Sequence, residues 1–273
     1  MKEQSNQHKS ISYQFYATLL DSYQSYLNSD VIWQRYWGNS TKDDVLTPEE
    51  FADKCRQDVI DRINRVPFTS EAADQGTCFN EIIDCLILNR NTERKDMVLK
   101  SDKEKGVCMA TLRDVTYSFP TDICRYYANL YNGSTPQVLT EATINTKYGI
   151  VRLYGYIDEL MPFGVHDIKT TKNYSYGNFR DHWQHHVYPY CLTQNGCKVD
   201  YFQYDILQIK RNAIGDKFSS FNEYHKYFHE ESIALLTSHC ESFIEFIEAH
   251  KHLITDLKIF NKQENGKTSS KTL

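Results

Sequence analysis

Between residues 137 and 170 the apolar side chains stop recurring at helical intervals and alternate instead, in three successive runs at 137–144, 148–159 and 165–170. The breaks are tight turns around Asn145 to Lys147 and Pro162-Phe163-Gly164. A period of two puts successive side chains on opposite faces of a strand, and connections this short join antiparallel neighbours. A sheet therefore sits in the middle of the chain, and the flanking segments have to pack on it.

The flanks read mostly as helix. Tyr13, Phe15, Tyr16, Leu19, Leu20, Tyr23 and Leu27 recur at helical spacing over 11–27, and 32–37 extends that layer. Thr47-Pro48-Glu49-Glu50 is a helix start, followed by Phe51, Cys55, Val59 and Ile63 at intervals of four. Gly76 opens a helix over 77–88, the charged stretch 90–106 reads as a surface loop, and 112–117 as a short strand or the lead-in to a helix. Helices follow over 120–130 and 179–194, with a kink or restart at Pro189. A last strand covers 199–209, a loop 215–220, and a largely helical segment 221–259. The expected organisation is one α/β domain over 1–262, a mixed central sheet flanked by helices. Its core spans about 76–209, with helical elaborations at 11–66 and 221–259; residues 1–10 are expected to fray and 263–273 to form a disordered tail.

Hydrophobic residues at 40% and aromatics at 14% supply a core, which excludes a disordered chain. A net charge of −5 argues against binding nucleic acid through a broadly basic surface, although one cleft can still concentrate both signs. The eight cysteines include no C-x-x-C pair and are expected to be reduced thiols. The polar first ten residues and the lack of a long apolar run give the expectation of a soluble, cytoplasmic protein without a membrane partner.

The polar residues of the central runs carry chemistry. Asp167 and Lys169 share one face of their strand and Ile168 points to the other. A hairpin turning at Pro162 to Gly164 brings Asp158 beside them. Hard carboxylate oxygens suit Mg²⁺ or Mn²⁺, and a neighbouring lysine can orient a water or offset developing negative charge. An ordinary surface ion pair would account for Asp167 and Lys169 alone. Gln184 and Tyr188 lie one helical turn apart and can reach the same place. His182, His185 and His186 lack a second ligand cluster at zinc spacing, so they are expected in a groove or in solvent.

These residues resemble the motifs of the PD-(D/E)xK nuclease superfamily, and more closely those of its RecB-like exonuclease branch. The resemblance rests on Gly155-Tyr156-Ile157-Asp158, on Asp167-Ile168-Lys169-Thr170, and on Gln184 with Tyr188, in that order, and spans about 76–207. It implies a restriction-endonuclease-like core. It also implies a Mg²⁺- or Mn²⁺-dependent DNA nuclease, an exonuclease in replication, repair or recombination. Asp158, Asp167 and the Ile168 carbonyl would ligate metal, Lys169 would activate water, and Gln184 and Tyr188 would support the site. The family's upstream Gly-x-x-x-His is departed from: Gly76 is present, but Asn80 stands where the histidine would, and an amide oxygen is a weaker ligand. Some members of the branch hold a four-cysteine iron–sulfur cluster; the spacing here does not match, and none is expected. Lys172, Arg180 and Thr170 are candidate DNA contacts. The expected partner is DNA, as duplex ends or single strand, with a helicase or single-strand-binding protein as a candidate to deliver it; no oligomeric state is readable. The rival expectation is a non-catalytic DNA-binding or complex-assembly subunit that keeps the fold, and a nuclease acting on RNA is a third.

Overall fold

The computed structural model describes residues 11–41, 44–213 and 215–260. The expected frayed start and the 263–273 tail lie outside them. In chain order, β1 (Ile11–Tyr16) runs straight into α1 (Ala17–Leu27), followed by α2 (Ser29–Trp37), α3 (Pro48–Ile63) and α4 (Glu71–Ile87). Then come β2 (Met97–Asp102), β3 (Val107–Leu112), β4 (Val115–Pro120) and α5 (Thr121–Leu130). The centre is β5 (Thr135–Thr146), β6 (Gly149–Met161), β7 (Gly164–Thr171) and α6 (Gln184–Gln194). The last elements are β8 (Tyr201–Asn212), β9 (Gly215–Lys226), α7 (His229–Ala249) and two short 3-10 turns, Lys251–Leu253 and Leu257–Phe260.

The larger sheet is mixed, in the order β1-β6-β7-β8-β9 with β5 on β6. β5 pairs along the whole of β6, so β1 and β7 must share its other edge. β1 takes Ile150 to Tyr154 in parallel, and β7 takes only Glu159 to Met161, antiparallel. Between those two stretches β6 has no strand partner on that edge, and there β6 and β7 splay apart. β7 continues in parallel register with β8, which pairs antiparallel with β9. β2, β3 and β4 form a separate antiparallel sheet.

Each face of the larger sheet carries its own apolar layer. One joins Leu19, Leu20 and Tyr23 of α1 and Val59 of α3 to Val187 of α6 and Phe243 of α7, over Val151, Leu153 and Val165. The other joins Phe79 and Ile83 of α4, Phe119 of β4 and Tyr127 of α5 over Ile168 and Leu207. The expected mixed sheet flanked by helices is what the chain builds. Among the described residues no helix is long and apolar enough to cross a membrane.

Four local expectations are corrected. Residues 11–16 are strand, not helix: Ile11, Tyr13 and Phe15 alternate with Ser12 and Gln14, and the open edge of β6 satisfies their backbone. Residues 97–102 are an edge strand rather than loop, their charges turned outward as edge strands require. Residues 215–226 are strand throughout, so the last long helix begins at His229. α6 begins at Gln184, not Phe179: the Phe179 and Trp183 rings are placed by turns, stacked on Tyr204 and His239 at 5.0 and 3.9 Å. Pro189 lies inside α6 without ending it.

α3 starts as expected, with a full capping box between Thr47 and Glu50. α4 starts five residues before Gly76, behind Ser70, whose hydroxyl accepts from the Ala73 N–H. All eight cysteines are unpaired.

Candidate active site

The splay between β6 and β7 opens a cavity of about 480 Å³, walled by the end of β1 and start of α1 on one side and by α4 on the other. The last paired rung is Glu159 with His166, so the next would set Asp158 opposite Asp167. The Asp158 carboxylate bridges the fork instead, accepting the Ile168 N–H at 2.8 Å. In an extended strand a residue's N–H and C=O point to the same side, so the Ile168 carbonyl also faces the fork rather than β8.

Asp167 is only 2% exposed. Its Oδ1 accepts from Gln184 Nε2 at 2.5 Å, and its Oδ2 lies 2.6 Å from Lys169 Nζ. Gln184, in the first turn of α6, also reaches the Tyr188 hydroxyl at 3.4 Å. The Tyr188 ring lies so close to β6 that a Cβ on Gly155 would stand 2.5 Å from it, so only glycine fits there. Gly76 makes a similar approach from α4: a Cβ there would be 3.1 Å from Thr170 Oγ1. The two glycines let α6 and α4 close on the fork from opposite faces.

Burial, and then the Asp167 charge, push Asp158 up to about 8. Burial likewise raises Asp167, against the pull of Lys169. Burial tends to lower Lys169, but the surrounding carboxylates of Asp167, Asp158 and Asp21 more than offset it and hold the ammonium above its ordinary range. Behind Asp158 lies a second acidic pair, Asp84 of α4 and Glu159. Burial raises them to about 6 and 8. Ser134 donates to Glu159 at 2.5 Å.

The sequence-predicted residues Asp158, Asp167, Ile168, Lys169, Thr170, Gln184, Tyr188 and Asn80 line this one cavity. Lys172 and Arg180 do not; they stand in solvent between β7 and α6, with Arg180 3.7 Å from its neighbour Asp181. The three histidines are not in solvent either. His185 is buried and stacks on His225 at 4.2 Å, His186 Nδ1 is 3.0 Å from Ser232 Oγ, and His182 Nδ1 is 3.5 Å from Asp21. Asp21, in α1, was not singled out from sequence. It accepts the Trp183 N–H at 2.5 Å, which pins the start of α6 and hence Gln184. Its own acidity is shifted by Lys169 and Asp167 after the larger effect of burial, which takes it to about 7.

The donor set fits a hard divalent cation. It offers two carboxylates, a backbone carbonyl facing the fork, and Asn80 Oδ1, a buried oxygen with no hydrogen-bond partner. Among the described residues no group of three or more His, Cys, Asp or Glu side chains is arranged as metal ligands, so amide and backbone oxygens would have to complete this set.

Fold and site together define a mixed α/β protein with an acidic pair and a lysine in a cavity at a strand fork. No family model matches the chain, and no curated protein matches it. Among solved structures, the crystal structure of a protein designated SSO0001 aligns with a TM-score of 0.38 and 11% identity, over 86% of this chain and 79% of that one. A likeness this distant carries no argument.

Proposed function

We propose that the chain is a Mg²⁺- or Mn²⁺-dependent deoxyribonuclease with a restriction-endonuclease-like core, acting as an exonuclease on DNA ends. The observation that carries the reading is the meeting of Asp158, Asp167 and Lys169 in one cavity, with Asn80 Oδ1 unpartnered beside them. The order α4, β5-β6-β7, α6, β8, with β7 parallel to β8, supports the core assignment.

Asp158, Asp167, the Ile168 carbonyl and Asn80 would hold the metal, which supplies acidification of a bound water and charge neutralisation at the phosphodiester. Lys169 holds the attacking water in line and offsets charge on the phosphate. Gln184 fixes the Asp167 rotamer through its 2.5 Å hydrogen bond. Tyr188 packs Gln184 against β6. The test is cleavage of linear duplex, single-stranded and covalently closed circular DNA, with Mg²⁺ and then Mn²⁺. Loss of linear DNA with circles spared, reduced about 10²- to 10⁴-fold by Lys169→Ala, is expected. Cut circles would make the enzyme an endonuclease.

Asn80 favours a second reading, since an amide stands where the resembled family carries histidine. On that reading the chain is a DNA-binding or complex-assembly subunit without activity of its own. It predicts retained DNA binding, no cleavage with either metal, and a gain of cleavage in Asn80→His.

A further inference from the structure

A second depression, of about 610 Å³, runs between α1 and α3, and Tyr16 lines both it and the carboxylate cavity, so the two lie side by side. Its charges sort unevenly. Asp58 is neutralised by Lys54 at 2.8 Å, while Asp61 accepts from the neutral Gln57 amide at 2.8 Å and keeps its charge. Arg65 pairs with Asp256 at 3.2 Å. Arg62 is exposed and makes no ion pair among the described residues, and its positive charge is felt at both Tyr16 and Asp21. Phe68, 75% exposed, also lines this depression, and Tyr156, 58% exposed, lines the carboxylate cavity.

An arginine without an ion pair in a depression also lined by Tyr16 and the exposed Phe68 suits a ligand that alternates anionic groups with flat apolar faces. An unpaired nucleic-acid strand is built that way: its phosphates meet the guanidinium and its bases stack on the rings. A duplex buries its base faces in its own stack and leaves such rings nothing to meet. A net charge of −5 also means that affinity must come from local contacts rather than from the field of the whole molecule.

We propose that the α1–α3 groove holds single-stranded DNA leading to or from the carboxylate cavity, with Arg62 on a phosphate and Tyr16 and Phe68 against bases. The direction of the strand rests on the nuclease reading; the binding does not.

The test is therefore made on binding alone. The full chain carrying Lys169→Ala is titrated, without divalent metal, into a fluorescent single-stranded oligodeoxythymidylate and into a blunt duplex of the same length. The single strand is expected to bind more tightly. Arg62→Gln is expected to weaken single-strand binding and to make its salt dependence shallower by about one unit of log–log slope. Phe68→Ala is expected to weaken it by about tenfold. Lys198→Gln, remote from the groove, is expected to change nothing. Both groove residues are exposed, and an unchanged thermal midpoint verifies that the variants fold. Undetectable binding of the oligonucleotide, equal or tighter binding of the duplex, or indifference to both groove variants overturns the proposal. Metal-dependent cleavage that survives such a failure leaves the nuclease reading standing; groove-dependent binding without cleavage by the wild type does the reverse.

Discussion

Two carboxylates facing one another across a fork cannot both stay charged without a counter-charge between them. Lys169 serves Asp167, which leaves Asp158 to carry the proton, up to about pH 8. A metal needs the carboxylate, so binding must expel that proton. Calorimetric titration of Mg²⁺ or Mn²⁺ at pH 7, in two buffers of different ionisation heat, is expected to report about one proton released per ion, falling towards none at pH 9. Heats independent of the buffer would sink this account. The participants within residues 155–188 were legible in the sequence because short connections bring them together: strand alternation fixes Asp167 and Lys169, and helical spacing fixes Gln184 and Tyr188. Asp21 and the Asp84–Glu159 pair were not. They arrive by packing of distant elements, and an aspartate within an amphipathic helix looks the same whether it faces solvent or the start of another helix.

At the scale of elements, patterns with strong local chemistry were readable and three of the edge strands were not. The Thr47 capping box and the 148–159 strand announce themselves, whereas the alternation of β1 is masked because it runs straight into α1, and β2 and β9 pack too little apolar surface to show a clear one. The β3–β4 hairpin was obscured by its turn. Leu112 pairs with Val115, so Arg113 and Asp114 alone make the loop, at φ of 50° and 65°. Two positive φ values make this a type I′ turn, usually marked by Asn-Gly. Asp114→Gly is therefore expected to leave the thermal midpoint unchanged or raise it, and Asp114→Val to destabilise by about 1–2 kcal/mol. Equal midpoints for the two variants would show that the turn does not constrain the hairpin.

For the whole molecule, stability should respond to pH from both sides. Glu159 at about 8 and Asp21 at about 7 have raised values, so the folded state keeps protons that the unfolded chain has released. Their contribution is complete below pH 4 and is lost as pH rises through 7 and 8. His182, His186 and His239 are pulled by burial to about 4, so the unfolded chain binds protons that the folded state refuses, and stability is lost as pH falls from 6.5 towards 4. At pH 6.5 the unfolded histidines are still half protonated, so the two effects oppose one another up to about pH 7.5, above which only the carboxyls act. Thermal unfolding in a chelator is expected to show a midpoint that declines between about pH 7.5 and 8.5. A midpoint climbing steadily from pH 5 to 9 would contradict the carboxyl assignments.

The shared edge of β6 also sets an order of events during synthesis. β1 pairs with Ile150 to Tyr154, roughly 140 residues further along the chain. At ribosomal speeds the partner emerges on the order of ten seconds after β1 does. Until then a strand rich in tyrosine and phenylalanine, and the α1 wall that follows it, wait without their seat. The nascent chain thus carries an exposed, aggregation-prone aromatic segment until β6 is made, a natural client for a chaperone that holds nascent strands.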